Sequence, residues 1–173
     1  PYTVAQFDAI CRSLKAWNPD TCIGTDIIVG FPGETDDDFA ATARYLAEGP
    51  IDYAHLFPYS VRSGTRAASM VDQVPEPVKS ERMHRLQAID ARKRQAFAMA
   101  QDGTTRQCVI EWPQGDPGEY VQAIADNYAA CRVRAAELPE HPRTARLALH
   151  WDGAGLAGCV GVAVQSCGAA NQG

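Results

Sequence analysis

The stretch 22–39, CIGTDIIVGFPGETDDDF, leaves the fewest options for how this chain can fold. Ile23, Ile27, Ile28 and Val29 make a β-branched run of the kind found in strands buried on both faces, which implies a parallel sheet covered by helices. Gly30-Phe31-Pro32-Gly33 then stops the strand. Two glycines permit positive φ or a close approach of backbone to a ligand, and the proline cannot continue a ladder. Thr35 stands as an N-cap, Asp38 completes a capping box three residues on, and Asp36 and Asp37 fall where the helix dipole favours negative charge. The prediction is strand, tight loop, then a helix over 36–48 with Phe39, Ala43 and Leu46 on its inner face.

Upstream, 3–17 reads as an amphipathic helix. Thr3 and Gln6 form its capping box, and Phe7, Ile10, Leu14 and Trp17 recur at helical spacing as the expected inner face. Downstream, 52–57 reads as a second strand and 58–68 as the loop at its carboxyl end. In a parallel β/α arrangement the loops after Val29 and after Phe57 share one end of the sheet, where the sites of such folds collect. Asp26 projects from the middle of an apolar strand, where a carboxylate is costly unless paired, which marks it for the interior and the site. Phe57 and Tyr59 offer an aromatic face and backbone groups to an adenine, while Arg62 and Arg66 suit phosphate or carboxylate in fork geometry. Glu34 is expected to hold the glycine turn through loop amides, with a cofactor hydroxyl as its other possible partner. His55 is read as a core histidine. A long helix over 76–100 is expected to bury Val78, Leu86, Ile89 and Phe97 and to leave Lys79, Arg82, Arg85, Arg92, Lys93 and Arg94 on a solvated face.

After residue 102 the pattern changes to short strand-like runs at 106–112, 120–125, 129–135, 145–151 and 156–164, separated by turn residues. Five such strands predict a small barrel. Tyr128 with Arg132 and Arg134 is the candidate for base stacking and backbone contact with RNA. This half carries five arginines against eight carboxylates, so phosphate contact requires its arginines to be grouped on one face. Residues 165–173 are small and polar and are expected to be disordered.

The string Gly24 to Thr35, GTDIIVGFPGET, resembles a late barrel strand and loop of the radical SAM methylthiotransferases, and Phe57 to Ala67 resembles their F-x-Y-S-x-R-x-G-T-x-A segment. The Asp126-Asn127-Tyr128 turn before Cys131-Arg132-Val133-Arg134 resembles their TRAM domain. The resemblance covers roughly residues 1–160. It implies an α/β chain made of a partial (β/α) radical SAM barrel over 1–101 followed by a TRAM/OB-like β-barrel over 102–164. It places S-adenosylmethionine beside Asp26, Ile28, Gly30, Phe31, Pro32, Gly33, Glu34, Phe57 and Tyr59, and tRNA beside Arg62, Arg66, Tyr128, Arg132 and Arg134. Phe57-Pro58-Tyr59 and the charged helix resemble most the branch acting on threonylcarbamoyladenosine in tRNA. Sister branches act on isopentenyladenosine in tRNA or on a ribosomal-protein aspartate, and a stand-alone RNA-binding module is the reading from another class. In the family one iron–sulfur cluster, held by a CxxxCxxC loop, reductively cleaves S-adenosylmethionine and a second is involved in delivering sulfur.

Neither cluster motif occurs here, and the chain opens at Pro1 rather than methionine, so the expectation is a carboxyl-terminal fragment that is inactive without the missing N-terminal half. Cys11, Cys22, Cys108, Cys131 and Cys159 fall among apolar neighbours and read as small buried thiols, and no metal site is expected from them or Cys167. A net charge of -5 gives no overall field for nucleic acid. With no membrane-length apolar run and no signal-peptide pattern, the expected location is cytoplasmic.

Overall fold

Two capping boxes set where the first two helices begin. Thr3 and Gln6 close one on α1 (Val4–Trp17), and Thr35 and Asp38 close the other on α2 (Asp36–Glu48). Between them lies β1 (Gly24–Val29). After α2 come β2 (Tyr53–Pro58), a 3₁₀ turn (Ala67–Ser69) and the long α3 (Glu76–Met99). The computed structural model of the protein describes residues 2–160, so the tail expected at 165–173, the end of the last predicted strand and Cys167 lie outside the described residues. The chain divides within α3, between Arg94 and Gln95, into two units.

In the first unit β1 and β2 pair in parallel, Gly24 opposite Tyr53 through Val29 opposite Pro58. One face packs on Phe39, Ala43, Leu46, Ile51 and Leu86, so α2 turns the predicted stripe inward. Burying side chains as completely as Leu46 and Ile51 contributes about 1.5–3 kcal/mol each. The other face departs from expectation. Asp26, Ile28, His55 and Phe57 are exposed, so these strands are covered on one side and not on both.

Helix α1 also departs from its predicted face. Cys11 is the residue it buries, while Ile10, Leu14 and Trp17 are exposed, Trp17 to 81%. The reason is local. Lys15 on the covered side reaches the Asp52 carboxylate at 2.6 Å, and that carboxylate also accepts from the Ile23 amide, which rotates the apolar stripe outward.

Helix α3 uses as structural ties several cations that sequence reading left in solvent. Lys79 and Arg82 are buried, Lys93 Nζ donates to the Gly49 carbonyl at 2.9 Å, and Arg94 Nη2 donates to the Ala54 carbonyl at 3.0 Å. Asp90 accepts from the Ala54 amide and also pairs with Arg94. The outer edge of β2 is thereby sealed at Ala54, a helix doing for an edge strand what a further strand would do.

In the second unit β3 (Thr105–Glu111), β4 (Tyr120–Ala125), β5 (Ala130–Arg134), β6 (Thr144–Trp151) and β7 (Leu156–Val160) close into a barrel in the order β3-β4-β5-β7-β6. All contacts are antiparallel except β5 with β7. Small inward residues, Cys108, Ala123, Ala125 and Cys131, let so few strands close around Val133, Leu147 and Leu149. A hydrogen bond to Cys108, with burial, pushes the Cys131 thiol up, and burial together with the Asp52 carboxylate pushes half-buried Cys22 up to about 11. These thiols stay protonated packing groups. Cys159 is half-buried and disulfide-bonded, not the small buried thiol expected.

Two carboxylates pin the ends of barrel strands. The Trp151 amide, then His150, holds Asp102 below its ordinary 3.8, and the Ala154 amide, with Arg132 and Gly155, does the same for Asp152. The unfolded chain binds these protons more readily than the folded one. Their stabilisation is therefore complete above the ordinary carboxylate range and is lost as pH falls through the lowered folded values. Urea midpoints followed by Trp112 and Trp151 fluorescence should hold from pH 7 to 5 and fall below about pH 4. Asp102→Asn should flatten that fall, and an equally steep fall in the variant would count against this assignment.

Candidate functional site

The parallel register puts the loops after Val29 and Pro58 at the same end of the sheet, and the Tyr59 amide donates to the Val29 carbonyl at 2.7 Å. Between them opens a cavity of about 640 Å³ lined by Asp26, Ile28, Phe31, Phe57, Pro58, Tyr59, Ser60, Arg62, Thr65 and Ala67. Phe31 and Tyr59 meet edge to face at 5.3 Å. Ile28 and Phe57, opposite each other in register, form an apolar floor and are 56% and 50% exposed. The Tyr59 hydroxyl is buried with no hydrogen-bond partner among the described residues.

Below the cavity the glycine loop is held rigidly. Gly30 and Gly33 have φ of 73° and 88°, the left-handed region that glycine enters without penalty. A Cβ at Gly30 would also lie 2.2 Å from Lys79 Cγ. The Glu34 carboxylate accepts from the Gly30 amide and faces buried Arg82 at 3.2 Å, while Arg82 also donates to the Glu34 carbonyl and to Asp36 at 2.7 Å. Lys79 Nζ donates to the Tyr59 carbonyl at 3.2 Å, so α3 braces both loops from beneath. Of the predicted cofactor residues, then, Asp26, Ile28, Phe31, Phe57 and Tyr59 line the cavity, whereas Gly30, Pro32, Gly33 and Glu34 build the loop that shapes it.

Sequence reading missed the support from Lys79 and Arg82 and misplaced His55. That histidine is exposed on the open face, paired in register with Asp26, its ring edge-on to Tyr53 at 5.3 Å. The alternation of Tyr53, His55 and Phe57 held the signal, but which face was covered did not. Arg62 joins the cavity. Arg66 instead lines a separate surface depression with Val61, Ser63 and Ser69.

In the barrel unit Tyr128 occupies the turn after β4 with φ 64° and is 75% exposed. The ring that Arg132 and Arg134 cover is Tyr120, at 5.4 and 5.7 Å. Arg132 pairs with Asp152, and Arg134 lies 3.7 Å from Glu119. The two arginines are grouped as phosphate contact would need, but around a different tyrosine.

Among the described residues no three or more His, Cys, Asp or Glu side chains gather to hold a metal ion. No described helix is long and apolar enough to cross a membrane. The cavity does fit a nucleoside cofactor: aromatic walls, a carboxylate and a guanidinium.

No family model matches the chain. Among curated proteins it is 37% identical over 127 residues to a tRNA-2-methylthio-N(6)-dimethylallyladenosine synthase of Bordetella avium, covering 73% of this chain and 27% of that protein. The like-named protein of Bordetella petrii is 38% identical over 127 residues, 73% of this chain and 26% of that one. That of Salmonella enteritidis is 42% identical over 110 residues, 64% of this chain and 23% of its own length. The chain thus spans about a quarter of the relatives it matches, and those relatives are methylthiotransferases by name. None of the three is named for threonylcarbamoyladenosine, which corrects the branch that Phe57-Pro58-Tyr59 had indicated.

Proposed function

We infer that this chain is part of a tRNA methylthiotransferase whose substrate is dimethylallyladenosine, the isopentenyladenosine branch, and that its first unit forms the S-adenosylmethionine side of the site. The observation that carries this reading is the coincidence of two independent things. Both motif-bearing loops border one cavity, and the proteins sharing 37–42% identity carry that activity in their names. When bound, S-adenosylmethionine supplies the methyl group and the radical-generating nucleoside. Phe31, Phe57 and Tyr59 stack against its adenine, Ile28 supports the ring from the floor, and Arg62 takes its carboxylate. Gly30, Pro32, Gly33 and Glu34 hold the loop that keeps water from the ring. Iron–sulfur clusters belong to the rest of the polypeptide, as does the other part of the barrel.

The barrel unit, taken from residue 102 as the TRAM-like domain, is assigned to tRNA. Tyr120 presents a base-stacking ring, Arg132 and Arg134 meet phosphates and Tyr128 extends the contact, while Arg66 of the first unit is assigned to tRNA separately. With tRNA as its partner, the protein is assigned to the cytoplasm.

A chimera tests the assignment. The 127 matched residues replace their counterpart in the Bordetella petrii relative, and tRNA from a strain lacking that enzyme is digested and analysed by mass spectrometry. Methylthio-dimethylallyladenosine is the expected product. A folded, cluster-loaded chimera that leaves dimethylallyladenosine unmodified overturns the assignment.

A further inference from the structure

The loop after β2 has two sides. Arg62 borders the cofactor cavity, whereas Arg66 borders a depression of about 740 Å³ with Val61, Ser63 and Ser69, and Thr65 lines both. The loop is braced from within: Gln73 Nε2 donates to the Ala67 and Met70 carbonyls at 3.0 and 2.9 Å, and the Ala68 amide donates to the Thr65 carbonyl at 3.2 Å. Arg66 is exposed, and its guanidinium makes no ion pair or hydrogen bond among the described residues. The hydroxyls beside it are not equivalent. Thr65 Oγ1 donates to the Arg62 carbonyl at 2.8 Å and accepts from the Ala68 amide at 3.3 Å, so its proton and a lone pair are already used. Ser69 Oγ donates its one proton to the Arg66 carbonyl at 2.8 Å and accepts from nothing among the described residues. What Ser69 offers a ligand is therefore acceptor sites and no donor. An uncommitted guanidinium beside an acceptor-only hydroxyl matches an anion that lies next to a donating hydroxyl, which is the phosphate and 2′-hydroxyl of an RNA backbone.

We propose that Arg66 and Ser69 grip one ribose–phosphate unit of the RNA substrate: Arg66 takes the phosphate and Ser69 Oγ accepts from the 2′-hydroxyl, so this loop tells RNA from DNA. The inference rests on the reading of this chain as part of a tRNA-modifying enzyme. Because Thr65 lines both hollows, a nucleotide held in the depression lies beside the cofactor cavity. The RNA strand is thereby anchored next to the place where its base reacts.

The experiment is fluorescence anisotropy on the 173-residue chain at low salt, with end-labelled ten-nucleotide oligocytidylates whose sugars are ribose, 2′-fluoro-ribose or deoxyribose. The 2′-fluoro sugar keeps the ribose pucker but has no proton to donate. The ribo form should bind about fivefold more tightly than the other two, the effect of one hydrogen bond. Ser69→Ala should bring the ribo form to the level of the fluoro form and leave the other two as they were, while Ser69→Thr, which keeps the hydroxyl, should keep the ratio. Arg66→Ala should weaken all three alike and flatten the fall of log K with log salt by about 0.7. Equal binding of the ribo and fluoro forms by the natural chain overturns the 2′-hydroxyl contact and leaves the tRNA reading standing. A ratio that survives Ser69→Ala overturns the role of Ser69, and an unchanged salt slope in Arg66→Ala overturns that of Arg66. Cytidine 3′-monophosphate competing as tightly as the ribo oligonucleotide makes the occupant a free nucleotide and overturns the RNA assignment. Failure of every probe to bind a chain whose amide spectrum is folded overturns this inference and the tRNA reading together.

Discussion

Arg82→Ala should cost the first unit about 3–5 kcal/mol, the penalty for breaking a buried ion pair by removing one partner. Arg82 is 7% and Glu34 13% exposed at the side chain, and the guanidinium serves the Glu34 carboxylate, the Glu34 carbonyl and Asp36 at once. It also lies 5.3 Å over Phe39, which is part of the core beneath. Without it the Glu34 carboxylate keeps the Gly30 amide but faces an uncompensated, poorly hydrated site. Most of the exposed pair's contribution, Arg82 with the almost fully solvated Asp36, is discounted here because solvent screens it. Amide exchange across β1 and β2 under native conditions should accelerate by orders of magnitude, while amides of the barrel strands keep their protection. Glu34→Gln should fall between, since an amide oxygen still accepts from Gly30 but carries no charge toward Arg82. Unchanged exchange in Arg82→Ala would show that the glycine loop is held by its own conformation and not by α3.

That expectation marks the boundary of what could be read from the letters. The glycine loop, both capping boxes and the Phe39, Ala43, Leu46 face of α2 are local features, fixed by residues three or four apart, and each is present. Long-range partnerships are not written locally. A lysine or arginine on a charged helix looks the same whether it points to water or reaches, as Lys79, Arg82, Lys93 and Arg94 do, the carbonyls and carboxylates of preceding turns. The same blindness explains α1 and β1. Ile10, Leu14 and Trp17 have helical spacing, and Ile28 follows Ile27, but spacing says only that a face is apolar, not that anything in this chain covers it.

The candidate site was legible to the extent that it rests on topology. Parallel pairing alone obliges the loops after Val29 and Pro58 to meet, so residues named from either motif had to converge. Which of them face the ligand depends on alternation along the strands, and there Asp26, Ile28 and Phe57 fall on the open face together with His55. In the barrel, the register of β4 against β5 sets Arg134 opposite Tyr120, a pairing no spacing rule along one strand could give.

The barrel's largest expected single-site loss is at Gln101, a residue without any sequence signal. It is 1% exposed, and its Oε1 accepts from Arg106 at 3.1 Å and from Asn127 at 2.8 Å, while its Nε2 donates to the Phe97 carbonyl at 3.2 Å. One amide thereby joins the last turn of the helix, the start of β3 and the β4–β5 turn that carries Tyr128. Gln101→Leu fills the space but removes an acceptor from two donors, each loss worth about 1–3 kcal/mol when the group stays buried, so a destabilisation of about 3 kcal/mol follows. Gln101→Glu keeps the acceptor and adds a charge facing Arg106, and should retain most of the stability at pH 7. Urea unfolding monitored through Trp112 and Trp151 separates the cases: the leucine variant should unfold well before the natural chain and the glutamate variant near it. If leucine is tolerated, the turn bearing Tyr128 is held by the strand register alone, and the RNA contact assigned to that turn loses its anchored geometry.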